Sequence, residues 1–146
     1  WEIRGVKEKD ERDPCQLYQR LNDQSGNSVA EISLFNLPEG QGADAGATII
    51  TPLQTLLPQQ ITLSVDGGQG KRYPFTFCTQ VGCFARVGFT NADIDAFRKG
   101  GKAQIMIVPA ADPTTKVVVD ISLTGFTAGY KIMAASNDAL PVPGQN

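Results

Sequence analysis

Two cysteines on either side of a short turn constrain the fold of this chain more than any other feature. Cys78 and Cys83 lie in the run YPFTFCTQVGCFARV, residues 73–87, where apolar and polar side chains alternate before and after the pair. This period of two predicts half-buried strands, with residues 79–82 as the loop between them. Residues that flank a hairpin loop face each other, with Cα atoms about 4.5–5.5 Å apart, a separation that a disulfide accepts. The pattern therefore predicts a β-hairpin closed by a Cys78–Cys83 disulfide.

Two other interpretations of this pair remain open. Both thiols could stay reduced and face the core of the protein. A zinc site of the Cys-x4-Cys type would need two further ligands, whereas the chain contains no histidine and one other cysteine, Cys15. We therefore predict no metal site and no cofactor.

Short segments with the same alternation recur along the chain between turn-forming residues, and they predict an all-β protein. Seven to nine strands with a turn about every 8–12 residues are typical of an antiparallel immunoglobulin-like β-sandwich, with a barrel as the alternative. Outside the hairpin, the predicted strands are residues 1–6, 15–21, 29–37, 47–51, 61–65, 103–107 and 116–123.

One short helix is predicted at residues 91–99. Thr90 or Asn91 provides its N-terminal cap, and a Gly-Gly pair follows its last turn. Because a helix of about two turns is not stable alone, Ile94 and Phe97 are expected to pack against the sheets.

The length of 146 residues is that of one domain with its own hydrophobic core. We predict a single β-sandwich domain over residues 1–136, in which residues 125–135 form a second helical candidate, and a loose C-terminal tail over residues 137–146. Residues 7–13 are seven consecutive charged residues, KEKDERD. They predict an exposed loop, with a partner-binding loop as the alternative.

Charge and hydropathy argue against two classes of partner. A formal net charge of −2 provides no basic field for nucleic acid. The longest apolar runs, such as residues 117–119, fall far short of the ~20 residues that span a bilayer, so we expect no transmembrane segment. The sequence starts at Trp1 with no signal-peptide pattern, and we expect that any secretory signal peptide was removed or never present.

Several motifs resemble those of one known family, the invasion-associated locus B family of small secreted or periplasmic bacterial proteins. They are YPFTFC followed by VGC, with LLP and VDGG upstream and SLTGFTAG downstream. The resemblance extends from Trp1 to about Ala135 and implies a periplasmic or secreted location, an oxidising compartment in which disulfides persist. Its most specific residues are Pro74, Phe75, Cys78, Gly82, Cys83, Ser122, Leu123, Gly125 and Phe126.

The resemblance also bears on Cys15. Members of the family usually carry another cysteine shortly after their first tryptophan, which would bridge to the Cys15 position. Here residues 2–5 after Trp1 are EIRG, without a cysteine. We predict that Cys15 carries a free thiol within a strand, with an intermolecular disulfide as the alternative.

The remaining chemistry of the chain is limited. The absence of histidine excludes mechanisms that use imidazole as base, proton shuttle or metal ligand. Asp93 and Asp95 project to different faces of the predicted helix and are interpreted as a cap and a solvated charge, and no catalytic residue is predicted. Most phenylalanines are expected in the core, with one or two outliers marking a contact surface. The phenylalanines considered are Phe75, Phe77, Phe84, Phe89, Phe97 and Phe126.

These observations and the resemblance predict a non-enzymatic protein that binds an unidentified protein or cell-surface partner, in host association and virulence or in envelope function. The alternative is a periplasmic thiol–disulfide redox protein or a hydrolase, although the spacing of the hairpin cysteines departs from Cys-x-x-Cys. We expect a monomer, with a weak dimer as the alternative.

Overall fold

The computed structural model describes residues 1–5, 15–37 and 43–138. Within these ranges the chain forms β-strands, two α-helices and one 3-10 turn. In chain order they are β1 (Glu2–Gly5), β2 (Cys15–Asn22), β3 (Ser28–Asn36), β4 (Ala45–Thr51), the 3-10 turn (Leu57–Gln59), β5 (Ile61–Val65), β6 (Lys71–Tyr73), β7 (Phe77–Thr79), β8 (Gly82–Phe89), α1 (Asn91–Lys99), β9 (Lys102–Ile107), β10 (Val117–Ser122) and α2 (Phe126–Asp138).

The strands form two antiparallel sheets. One has six strands in the order β1-β2-β3-β4-β8-β7, and the other has four in the order β10-β9-β5-β6. Buried side chains from both sheets form one hydrophobic cluster between them. The predicted antiparallel β-sandwich is therefore confirmed, and the barrel alternative is not adopted.

Alternation along the strands decides which side chains enter this cluster. On β3, Ala30, Ile32 and Leu34 are buried while the residues between them are only half-buried. β4 and β8 pair in register over their whole length, and Ala85 and Val87 face the same interior as Ile49. The six-stranded sheet thus has a buried inner face and an outer face formed by the alternate residues.

The first helix has the bounds predicted from sequence. The Thr90 hydroxyl accepts a hydrogen bond from the Asp93 amide at 3.2 Å, and the Asp93 carboxylate accepts one from the Thr90 amide at 3.0 Å, which forms a capping box. Ile94 and Phe97 are buried, as expected. This helix is therefore held by its cap and by the core.

Asp93 also connects α1 to the edge strand β6. Its carboxylate accepts a hydrogen bond from the Lys71 ammonium at 2.5 Å. Partial burial by itself raises the pKa of Asp93, but hydrogen bonds from Lys71 and Thr90 outweigh burial and hold that pKa below its usual value. The same pair raises the pKa of Lys71.

The second helix is longer than the segment flagged in the sequence and fills one end of the core. Phe126, Tyr130 and Met133 of α2 are buried. Gly129 lies so close to β2 that a Cβ atom there would be 2.9 Å from Leu17 Cδ1. The helix extends through Asp138, two residues into the predicted tail, whereas residues 139–146 lie outside the described residues. The division into a domain and a tail stays a prediction.

Aromatic side chains connect the two helices with the sheets. Phe97 lies 5.1 Å from Phe89 and 5.6 Å from Phe126, ring centroid to centroid, in edge-to-face contacts. Tyr73 extends the series beyond Phe89, and Trp1 extends it beyond Phe126. We call these five rings the aromatic interior.

Neither described helix combines the length and the apolar character that crossing a membrane would require.

Candidate interaction surface

The hairpin formed by β7 and β8 contains the predicted disulfide. Cys78 and Cys83 are paired residues in the ladder, with Cα atoms 4.0 Å apart, and their sulfur atoms are bonded. The two cysteines therefore face each other as the alternation predicted. We call β7 and β8 with this bond the disulfide hairpin.

The turn of the disulfide hairpin is shorter than predicted. Thr79 pairs with Gly82, which leaves two residues in the loop instead of the four at 79–82. The Thr79 hydroxyl accepts a hydrogen bond from the Val81 amide at 3.1 Å, so the chain reverses within two residues. Gly82 passes close to the neighbouring strand, where a Cβ atom would lie 2.3 Å from the carbonyl oxygen of Thr51. Only glycine allows this approach.

The disulfide joins an exposed sulfur to a buried one. Cys83 is 0% exposed, whereas all three residues of β7, including Cys78, are exposed. β7 lies at the edge of the six-stranded sheet. This short strand is attached to the sheet by its pairing with β8, by the contact of the Phe77 and Phe84 rings and by the covalent bond.

An exposed apolar surface lies on this edge strand. Phe77 is 38% exposed and stacks on Phe84, with ring centroids 4.8 Å apart and an interplanar angle of 12°. The guanidinium of Arg86 lies 5.3 Å from the centroid of the Phe77 ring. Val81, at the turn, is 73% exposed. Phe77 is the expected outlier among the phenylalanines.

The other phenylalanines considered in the sequence divide into two groups. Phe89, Phe97 and Phe126 are buried in the core, Phe75 is half-buried and packs against it, and Phe84 is half-buried beside Phe77. Four of the six phenylalanines thus contact the core, as the prediction that most of them serve it expects.

The strand register extends the surface across the sheet. Phe77 pairs with Phe84, Phe84 with Ile50, Ile50 with Glu31, and Glu31 with Arg20. These five residues form one transverse row on the outer face. Arg20 and Ile50 were not identified from the sequence, because their positions in the row depend on pairings between distant strands. The sequence signal that was available is the alternation within each strand, which places these residues on its outward-facing side.

Two depressions lie along this outer face. The first, of about 220 Å³, is lined by Arg20, Glu31, Ile50 and Val81 among others. The second, of about 430 Å³, has Arg86 in its lining. Its other lining residues include Phe35, Gly46, Thr48 and Gly88. Each depression therefore combines one arginine with a mixed polar and apolar wall, and the first also contains the Glu31 carboxylate.

The outer face carries two arginine side chains and one glutamate side chain near the transverse row. Glu31 accepts a hydrogen bond from the Tyr18 hydroxyl at 2.5 Å. In the ranges 1–5, 15–37 and 43–138, neither the Arg20 nor the Arg86 guanidinium has a carboxylate within 4.0 Å. Both arginine side chains belong to exposed residues. The outer face therefore offers two cationic groups beside apolar side chains.

Cys15 lies far from the disulfide hairpin, at the start of β2. It is half-buried, and its backbone amide and carbonyl bond to the side chain of Asn137 at 2.6 and 2.9 Å. The strand position agrees with the sequence analysis, whereas the reduced state of the thiol stays a prediction.

The other residues singled out in the sequence have structural roles where they are described. Asp95 forms an ion pair with Arg98 at 2.9 Å within α1, apart from the Asp93 cap. Gly125 has a φ of +78°, a conformation that glycine adopts readily, and directly precedes α2. The charged segment 7–13 lies outside the described residues. Among the described residues, no three potential ligands from His, Cys, Asp and Glu come together as a metal site would require.

Comparisons with known proteins agree with the sequence motifs. A family model described as invasion associated locus B (IalB) protein matches residues 1–134. An invasion protein B homolog of Brucella abortus (strain 2308) is 25% identical over 128 residues, which cover 88% of this chain and 72% of the relative. A homolog from Brucella abortus biovar 1 (strain 9-941) matches to the same extent. The crystal structure of invasion associated protein b from Bartonella henselae has the same fold, with a TM-score of 0.72 at 18% identity over 93% of this chain and 92% of that one.

Proposed function

We propose that this chain, which belongs to the invasion associated locus B (IalB) family, is a periplasmic or secreted bacterial protein that binds a protein or cell-surface partner without catalysing a reaction. One observation carries the proposal: a disulfide holds the apolar side chain of Phe77 in water on an edge strand. Exposed apolar groups fixed in this way are characteristic of contact surfaces.

The proposed location follows from the same bond. Disulfides persist in the periplasm and outside the cell, whereas the bacterial cytosol keeps thiols reduced. The similar proteins are named for invasion. Their names support a role in host association, and an ordinary role in the bacterial envelope is equally compatible with a binding surface.

The non-enzymatic part of the proposal rests on the chemistry that the chain provides. Without histidine, proton transfer near neutral pH would have to use another group. The helix carboxylates are committed to other bonds, Asp93 to Lys71 and Thr90 and Asp95 to Arg98. These engagements favour binding over hydrolysis.

A thiol–disulfide redox protein is the second candidate, because Cys78 is exposed to an attacking thiol. Attack on the sulfur of Cys78 would break the disulfide and release Cys83 as a thiolate. Cys83 is fully buried, where water solvates the negative charge of a leaving thiolate poorly. Redox exchange is therefore less favoured than partner binding as the function of this chain.

The test compares three forms of the protein in affinity capture from envelope extracts and from host-cell membranes. We expect the wild-type chain and an Ile132→Ser control to retain the same partners, and a Phe77→Ser/Val81→Ser variant to lose them. Ile132 is a matched control because it is 59% exposed but lies on α2. Capture of nothing by the wild type, or equal capture by all three forms, would contradict the proposal.

The redox alternative is tested separately with a small dithiol. A bond that resists mild reductant supports a structural role. Rapid and reversible exchange of the Cys78–Cys83 disulfide with the dithiol, measured by mass spectrometry after thiol trapping, would favour a redox protein instead.

A further inference from the structure

The outer face of the six-stranded sheet is open among the described residues. The four-stranded sheet and α2 both pack on the opposite, inner face, where Gly129 contacts Leu17. No described element lies over the transverse row from Arg20 to Phe77. A ligand that approaches this face therefore contacts side chains that no other described element covers.

The two arginines on this face lie in different depressions. Arg20 shares the first with Ile50 and Val81, and Arg86 lines the second. Across the sheet, three strand-to-strand spacings of about 4.8 Å separate β2 from β8. Along β8, Arg86 lies two residues, of about 3.4 Å each, from Phe84 in the transverse row. The two Cα atoms are consequently about 16 Å apart.

The surface between the arginines is apolar. Ile50 and Phe84 are directly paired on β4 and β8 and are half-buried in the free protein. Glu31 lies at the Arg20 end of the row, where the Tyr18 hydroxyl already bonds to it. The face therefore presents Arg20 beside Glu31 at one end, Arg86 at the other end and an apolar middle.

We infer that this face binds an extended, acidic segment of a partner protein. Two of its carboxylates, four residues apart and therefore on the same side of the extended chain, pair with Arg20 and Arg86, and the apolar side chain midway between them packs on Ile50 and Phe84. An extended chain spans about 3.3 Å per residue, so four residues cover about 13 Å, and the long arginine and glutamate side chains span the remaining ~3 Å. This inference rests on the proposed binding function and specifies its partner.

A protein segment fits this face better than a lipid surface does. The guanidiniums lie in separate depressions, which a chain of side chains can enter and a flat bilayer cannot.

The direct test uses a pool of fluorescein-labelled nine-residue peptides, each with two glutamates four positions apart, which lie on the same side of an extended chain, and varied apolar residues between them. We expect saturable binding to the wild-type protein by fluorescence anisotropy, weakened by added salt. An otherwise identical pool with glutamine in place of glutamate should not bind. Amide NMR shifts on peptide addition should concentrate at β2, β4 and β8.

Two double variants with the same loss of charge locate the site. In Arg20→Gln/Arg86→Gln we expect affinity for the peptide pool to fall about tenfold or more, as for two solvent-accessible charge pairs. Arg72→Gln/Lys99→Gln removes two exposed cations from β6 and α1 and should bind as the wild type does.

Several results would overturn the inference. They are absence of peptide binding, equal losses in both double variants, NMR shifts confined to other surfaces, and preferential binding of phosphatidylglycerol vesicles or of a second copy of this chain through the same arginines. Affinity capture from envelope extracts, carried out in parallel, distinguishes failure of the acidic-segment site from failure of the proposed binding function. If Arg20→Gln/Arg86→Gln retains the partners of the wild type, the acidic-segment site is wrong and the binding role stands. If the wild type captures nothing, the binding role itself is wrong.

Discussion

The aromatic interior and the disulfide hairpin use the same residue type in opposite ways. Phe89, Phe97 and Phe126 contact one another edge to face and are at most 5% exposed. Phe77 and Phe84 lie parallel on the outer face, and Phe77 is 38% exposed. Burial fixes the first group, whereas the Cys78–Cys83 bond and strand pairing fix the second.

This difference indicates that one set of substitutions should change the stability of this molecule and another set its binding. Removing a ring from the aromatic interior leaves a cavity that many neighbours line. Removing a ring from the disulfide hairpin leaves a surface that water fills at little cost. Substitutions in the two regions should therefore affect different measurements.

The largest expected effect is that of Phe126→Ala in the aromatic interior. Phe126 is 1% exposed and contacts the rings of Trp1, Phe97 and Tyr130. We expect the free energy of unfolding, measured in urea, to fall by about 3–5 kcal/mol. Phe126→Leu, which keeps most of the volume, should cost much less. A loss below about 1 kcal/mol for alanine would show that the interior can collapse onto the gap.

Removal of the disulfide should have the next largest effect. The bond closes a very short loop, and the chain-entropy estimate for Cys78→Ala/Cys83→Ala is a loss of about 2 kcal/mol. Hydrogen exchange should accelerate most at β7, which can then open locally, and less at β3 and β4, which exchange through global unfolding. Cys15→Ala is the control and should leave β7 protected. Unchanged protection in the double variant would mean that pairing alone holds the edge strand.

A smaller effect is expected at the capping box of α1. Asp93→Asn should lower the free energy of unfolding by about 1 kcal/mol at neutral pH, because the asparagine cannot form an ion pair with Lys71. Since the pKa of Asp93 is lowered in the folded protein, its contribution is complete above the unfolded pKa of about 3.9 and is lost as pH falls through the lower folded value. The melting temperature of the wild type should therefore approach that of Asp93→Asn below about pH 4. Parallel melting curves at every pH would contradict the assigned ion pair.

The smallest effect on stability is expected for Phe77→Ser in the disulfide hairpin. The loss of the stack on Phe84 and of the contact with Arg86 should cost less than about 1 kcal/mol of unfolding free energy. Partner capture should nevertheless fall sharply, in contrast to Phe126→Ala under conditions where that variant is folded. A stability loss as large as that of Phe126→Ala would remove the distinction between the two regions.

Local patterns in the sequence predicted much of the fold. The period-two alternation identified the strand phases, and the cap of α1 depends only on residues 90–93. The disulfide was predictable because both cysteines lie in one hairpin. The turn length was wrong because Thr79 and Gly82 pair, and the close approach of Gly82 to Thr51 involves a strand about 30 residues earlier in the chain.

The candidate surface was only partly predictable for the same physical reason. Phe77 belongs to the cysteine motif and was one of six phenylalanines, among which one or two were expected to mark a contact surface. Arg20 and Ile50 join it only through the pairing of β2, β3, β4 and β8, which no local pattern specifies. The segment that became α2 lacks a strong amphipathic signal in sequence, and its length is fixed by packing on β2.

The contact of Asn137 has a consequence for how the protein is made. Its side chain bonds to the backbone of Cys15, 122 residues earlier, and to Asn36, 101 residues earlier. The sandwich therefore cannot seal its interior until the chain has emerged from the ribosome as far as Asn137. A nascent chain that stops before Phe126 leaves the inner face of β2 uncovered and prone to aggregate. We therefore expect chains that lack α2 to depend on a chaperone that shields this face.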